Sequence, residues 1–152
     1  GSLPTELGGL TVLVGFHVGS NSFSGSIPPH YSQWSVIRAF EVALNHLTGT
    51  FPTEMGLLTL LTRLDLSANQ LYGTMPTEMG QLTKLAYLSL SSNSLVGTVP
   101  TELGRLDTLT KLGIEGNSFS GTLPIELSEL TNHFPEPPKG QYPYRDRPTH
   151  CT

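Results

Sequence analysis

The feature that most constrains this chain is a phrase that recurs. Residues Asn69 to Gly80 read Asn-Gln-Leu-Tyr-Gly-Thr-Met-Pro-Thr-Glu-Met-Gly, and Asn93 to Gly104 read Asn-Ser-Leu-Val-Gly-Thr-Val-Pro-Thr-Glu-Leu-Gly. The second copy starts 24 residues after the first, and the same skeleton returns at Asn21, Asn45 and Asn117. Counted from the first leucine of each unit, repeats begin at Leu10, Trp34, Leu58, Leu82 and Leu106, after a half unit from Leu3 to Gly9. A unit this short cannot bury its own leucines, so it must stack on its neighbours and share one elongated core.

Spacing within a unit rules out an amphipathic helix. Leu82, Leu85 and Leu88 step by three, and Leu88 to Leu90 steps by two, the period of a strand. A short strand is therefore expected over Tyr87–Ser91, and over the matching residues of the other units. The 16 glycines and 12 prolines among 152 residues add many turns and leave little room for long helices.

After the strand comes Asn-x-Leu-x-Gly-x-Val-Pro, as from Asn93 to Pro100. This motif resembles the plant-type extracellular leucine-rich repeat, and the resemblance covers residues 3 to 130. It implies an α/β solenoid: a right-handed leucine-rich repeat with a concave parallel β-sheet and convex 3₁₀ turns, in about five repeats plus a half repeat. It also implies a secreted protein or the extracellular side of a membrane protein, and a receptor-like, protein-binding role. The paired-cysteine caps of that family are absent, and Cys151 is the one cysteine. Gly1 and Ser2 read as a cloning scar, 3–130 as the solenoid, and 131–152, with Pro135, Pro137, Pro138, Pro143 and Pro148, as a Pro-rich C-terminal cap or linker.

Several columns read as scaffold. A buried asparagine amide both donates and accepts, so the Asn column should satisfy backbone groups stranded where the chain turns. The glycines at 25, 49, 73, 97 and 121 permit close backbone approach, and the prolines at 28, 52, 76, 100 and 124 end that segment because they carry no N–H. Phe16, Phe23, Phe40, Phe51, Phe119 and Trp34 fall at inward positions. From Ser26 to Ala43 the motif is least regular, His30-Tyr31-Ser32 replacing Glu-Leu/Met-Gly, and a local bulge is expected there.

Composition excludes whole classes of function. A net charge of -4 with no basic run argues against nucleic acid. No apolar stretch is long enough to insert this segment directly into a membrane. No nucleophile elbow, phosphate loop or Cys/His cluster occurs, so neither catalysis nor a cofactor is expected. His17, Glu41 and Asp65 form a column, but first and third strands lie nearly 10 Å apart at the usual spacing of about 4.8 Å, too far to share a metal ion.

Binding residues should then be outward ones. On the concave strands these are His17, Glu41, Arg63, Asp65, Tyr87, Ser89, Lys111 and Glu115, a patch of mixed charge around one tyrosine. Elsewhere two threonine files recur, Thr50, Thr74, Thr98 and Thr122 and, beside them, Thr53, Thr77 and Thr101, with a glutamate column at Glu6, Glu54, Glu78, Glu102 and Glu126. The expected function is a non-enzymatic recognition module binding a protein, peptide or glycan through the concave sheet. The threonine files suggest ice binding as an alternative, and a structural or assembly subunit is the third reading, with oligomerisation through a solenoid end or Cys151.

Overall fold

The computed structural model of the chain describes residues 1–128. The expected Pro-rich cap and Cys151 lie outside those residues. Each coil runs from a 3₁₀ turn into a short strand, through a tight bend at its asparagine, into a second short strand, and on through proline to the next turn. The turns are η1 (Thr5–Gly9), η2 (Pro29–Gln33), η3 (Thr53–Leu57), η4 (Thr77–Gln81) and η5 (Thr101–Arg105). The first strands of the coils are β1 (Gly15–His17), β3 (Ala39–Glu41), β5 (Arg63–Asp65), β7 (Tyr87–Ser89) and β9 (Lys111–Gly113); the second are β2 (Ser24–Gly25), β4 (His46–Leu47), β6 (Tyr72–Thr74), β8 (Ser94–Gly97) and β10 (Ser118–Phe119).

The first strands form one five-stranded parallel sheet in the order β1-β3-β5-β7-β9. Its register follows the repeat: Gly15, Ala39, Arg63, Tyr87 and Lys111 stand in one row, and His17, Glu41, Asp65, Ser89 and Gly113 in another. Between these rows Phe40, Leu64 and Leu88 point into the core and are fully buried. A slip of one residue would exchange the two faces, so the constant repeat length is what keeps leucines inside. The strand in the fourth unit ends at Ser89, two residues short of the expected Ser91.

A second set of parallel strands was not foreseen. β2 pairs with β4, and β6, β8 and β10 form a three-stranded sheet, the two linked by a bridge between Thr50 and Tyr72. Here Tyr72 faces Ser94 and Thr74 faces Val96. Lateral partners on this face are therefore two residues out of step with the concave sheet.

The asparagines hold the two strand sets together. Asn69 Nδ2 donates to the carbonyls of Val42, Leu66 and Ser67 at 3.1–3.2 Å, and its Oδ1 accepts the Leu47 N–H at 2.9 Å. Asn45, Asn93 and Asn117 repeat the pattern, each reaching back to the preceding coil. Among these, Asn45 and Asn69 are buried. The residue before each asparagine takes a left-handed conformation, at φ 57° for Ser20 and Leu44, 52° for Ala68 and 56° for Ser92, with Gly116 in the same place. Gly73 also lies at φ +84°, and an added methyl carbon there would meet Thr50 Cγ2 at 3.1 Å. The glycine column is thus fixed by backbone conformation as well as by close approach.

No bulge interrupts the irregular second repeat. β3 pairs in continuous register with both neighbours, because Tyr31 takes the inward place of the leucine it replaces and is fully buried. Its hydroxyl donates to the Pro4 carbonyl at 2.9 Å, and Trp34 Nε1 donates to the Leu7 carbonyl at 2.8 Å. Tyr31 and Trp34 stack at 4.1 Å between centroids, and Phe16 and Phe40 close around them. This cluster fastens the half unit to the array. Burial, with Glu6 adding a smaller effect, pushes the Tyr31 phenol up to about 12. Of the expected core aromatics, Trp34, Phe40 and Phe51 are buried, whereas Phe16, Phe23 and Phe119 are only half-buried.

Candidate functional site

The concave sheet brings the sequence-selected side chains into one connected file. Alternation along each strand sends one row of side chains inward and the flanking rows to the open face, and lateral pairing places His17 beside Glu41 and Arg63 beside Tyr87. His17 Nδ1 lies 3.0 Å from Glu41 Oε2, and Arg63 Nε donates to the other oxygen of the same carboxylate. The Arg63 guanidinium sits 3.8 Å above the Tyr87 ring centroid, and Lys111 Nζ lies 5.0 Å from the same centroid. One contact chain therefore crosses all five strands, from His17 through Glu41, Arg63 and Tyr87 to Lys111.

A second line of bonds orients the tyrosine. The Tyr87 hydroxyl donates to Asp65 Oδ2 at 3.3 Å, while Asp65 Oδ1 accepts from the Ser67 hydroxyl at 2.6 Å and the Ser67 N–H at 3.1 Å. Held between two cations and a carboxylate, the ring has little rotational freedom left to lose when a ligand covers it. Cation–π contacts of this kind contribute on the order of 0.5–1 kcal/mol each at exposed sites.

One of the expected surface residues, Ser89, is not free surface, and neither is Ser91 two positions on. Ser89 is 7% exposed and Ser91 8%. Glycine at position 113 lets them fold over the neighbouring strand: a methyl carbon on Gly113 would meet Ser91 Oγ at 2.7 Å and Ser89 Oγ at 3.1 Å. Ser89 is therefore a supporting residue beneath the patch. Glu115 is fully open to solvent, and hydrogen bonds from its own backbone and the Ser91 hydroxyl hold its carboxyl below the usual range. The contributing residues His17, Arg63, Lys111 and Glu115 are exposed, while Glu41, Asp65 and Tyr87 are half-buried. Repeat spacing places Ser67 in the same outward column as Glu115, but not its role, which is to orient Asp65 through its hydroxyl and N–H.

The threonine files have a different geometry from the one their spacing suggests. Thr50, Thr74, Thr98 and Thr122 are all exposed. Because the second strands pair out of step, Thr50 lies beside Tyr72 and Thr74 beside Val96. The lateral rows mix threonine with an aromatic and a branched aliphatic residue, so this face carries no uniform threonine rank. Thr53, Thr77 and Thr101 open the 3₁₀ turns, each donating to the carboxylate of the glutamate that follows it.

The sequence model of the family described as Leucine rich repeat matches residues 59–119. A search of curated proteins gives no match. Among solved structures, the chain is similar to a chain of the Arabidopsis receptor kinase HAESA in complex with the peptide hormone IDA and the co-receptor SERK1, at 37% identity and TM-score 0.84 over 88% of this chain and 22% of that one. It is similar to the ectodomain of the Arabidopsis thaliana membrane receptor kinase GASSHO1/SCHENGEN3 in complex with CASPARIAN STRIP INTEGRITY FACTOR 2, at 36% identity and TM-score 0.84 over 86% of this chain and 16% of that one. A chain of the BIR3–SERK2 complex from Arabidopsis thaliana matches at 36% identity and TM-score 0.72 over 74% of this chain and 61% of that one. The chain thus spans less than two thirds of the length of each of these.

Proposed function

As this chain belongs to the plant-type leucine-rich repeats by both its repeat and its fold, we propose that it is a non-enzymatic recognition module that binds a peptide or protein across its concave sheet. The observation that carries this reading is the contact chain from His17 to Lys111, which presents an oriented tyrosine between two cations on an otherwise small-residue face. Tyrosine and arginine are the side chains most often found at the energetic centre of interfaces. The named complexes of similar structures, HAESA with IDA and GASSHO1/SCHENGEN3 with its factor, support peptide or protein as the ligand class. The same likeness supports a place on the extracellular side; no helix among the described residues is long and apolar enough to cross a membrane.

The test is selection from a displayed random-peptide library followed by affinity measurement. Selected peptides should lose at least about tenfold in affinity, equivalent to about 1.4 kcal/mol, against the double variant Arg63→Glu, Tyr87→Ala, whose melting temperature stays near that of the parent. Peptides that bind parent and double variant equally would refute the concave-face reading, as would a library that yields no binder.

A further inference from the structure

Both threonine files, which the concave site leaves unused, line the same feature. Between the second strands and the 3₁₀ turns lie two separate recesses, which make up an interrupted groove. One section, of about 400 Å³, is bounded by Thr50, Thr53, Glu54 and Tyr72 over a floor that includes Phe51. A second, of about 310 Å³, is bounded by Thr74, Thr77, Thr98, Thr101 and Glu102 over Met75 and Val99. The floor is apolar because Phe51, Met75 and Val99 belong to the core, at 4–6% exposure. The walls are uncharged hydroxyls and carboxylates, and no lysine or arginine lines either section.

The chemistry of this groove is specific. The hydroxyls of Thr50, Thr74 and Thr98 take no protein partner among the described residues, so each is free both to donate and to accept. The γ-methyl groups of Thr50 and Thr74 lie over Gly73 and Gly97 of the next coil, where any larger residue would crowd them. In the other wall the hydroxyls of Thr53 and Thr101 donate to Glu54 and Glu102, leaving the groove edge rich in acceptors. Tyr72, 54% exposed, supplies a flat aromatic face beside the first section.

We infer that this groove binds a linear neutral glycan. Pairs of ring hydroxyls donate to the carboxylates and exchange hydrogen bonds with the free threonines, and the apolar face of a pyranose stacks on Tyr72. Threonine hydroxyls and a glutamate of the following turn occur in both sections, with Tyr72 beside the first alone, which suits an extended run of sugars anchored at Tyr72. Glu54 and Glu102 form no ion pair among the described residues, and with Arg105 the one cation in the recess adjoining Glu102, the excess of carboxylates disfavours acidic polysaccharides. This site is separate from the concave patch, and either can fail without the other.

Titration of the protein with cellohexaose and laminarihexaose, followed by amide chemical shifts, tests it, with hexagalacturonate as the anionic probe. Binding of at least one neutral hexasaccharide is expected, with shifts at Thr50, Tyr72, Thr74 and Thr98. Tyr72→Ala should weaken it about tenfold, and Thr50→Val, Thr74→Val together should weaken it further, whereas Tyr87→Ala should leave it unchanged. No binding of either neutral probe, tighter binding of hexagalacturonate, shifts confined to the concave strands, or affinity indifferent to Tyr72→Ala would each overturn the inference. All variants are at exposed or concave-surface positions, and a melting curve beside each titration separates lost binding from lost folding.

Discussion

Replacement of Asn69 by alanine should destabilise the protein by about 2 kcal/mol, and the structure says which group causes it. Four hydrogen bonds disappear, but they are not equivalent. The Val42 carbonyl keeps Asn45 Nδ2 at 3.0 Å, the Leu66 carbonyl keeps Asn93 Nδ2 at 3.0 Å, and the Ser67 carbonyl keeps the Leu44 N–H at 3.0 Å. The Leu47 N–H, by contrast, has Asn69 Oδ1 as its acceptor at 2.9 Å and lies in the buried interior. Stranding one buried donor costs about 1–3 kcal/mol, and weakening three carbonyls that retain a partner adds less. For a chain of this length that is a fall of about 4–8 °C in melting temperature. Asn21→Ala is the internal control: Asn21 is exposed, its amide donates to Val18 and Gly19, and no earlier coil depends on its oxygen. Its cost should stay within about 0.5 kcal/mol. Asn69→Asp should exceed alanine, since it keeps the acceptor but turns negative charge toward three carbonyl oxygens. Equal shifts for Asn69→Ala and Asn21→Ala in denaturant titrations would refute the reasoning.

Other expectations follow from single positions. Gly73→Ala should cost about 1–2 kcal/mol, because φ +84° is unfavourable for a side chain and the new methyl meets Thr50; Gly9→Ala, with nothing within 4 Å, should be neutral or slightly stabilising in the same assay. Leu44→Asn should raise stability by about 0.5–1 kcal/mol, since Leu44 is 59% exposed at φ 57° and asparagine tolerates that conformation better. Tyr31 titrates at about 12 in the fold against a reference of 10.0, so its contribution is complete below pH 10 and is lost as pH rises toward 12. Tyr31→Phe should abolish that component of alkaline destabilisation, read as a flatter dependence of unfolding free energy on pH above 10 than in the parent; parallel slopes would contradict the assignment.

Much of this molecule could be read from the chain because a repeat protein writes its angular coordinates into its sequence. Residues one repeat apart occupy the same place on successive coils, so the inward leucines, the bonded asparagines and the outward His17, Glu41, Arg63, Tyr87 and Lys111 were all assignable from spacing. Irregular substitutions were harder. His30-Tyr31-Ser32 looked like a defect, yet Tyr31 fits the inward place because its hydroxyl finds the Pro4 carbonyl, a partner 27 residues away that no local pattern reveals. Ser89 looked like surface because alternation assigns direction only; the glycine at position 113 on the next strand decides that it is covered.

The division between the two sources of information is therefore lateral. By itself the sequence determined the coil: its length, its inward face, its turns and the existence of a shared core, because hydrophobic periodicity and turn chemistry act along the chain. Only the tertiary structure decided what stands beside what. On the concave sheet neighbouring coils pair in step, so sequence columns become physical rows and Tyr87 is set between Arg63 and Lys111. On the second sheet they pair two residues out of step, so the threonine column is broken up by Tyr72 and Val96. The periodicity is the same on both faces, but hydrogen-bond register between coils is set by how the backbone climbs from one to the next, and that geometry exists only once the coils have stacked.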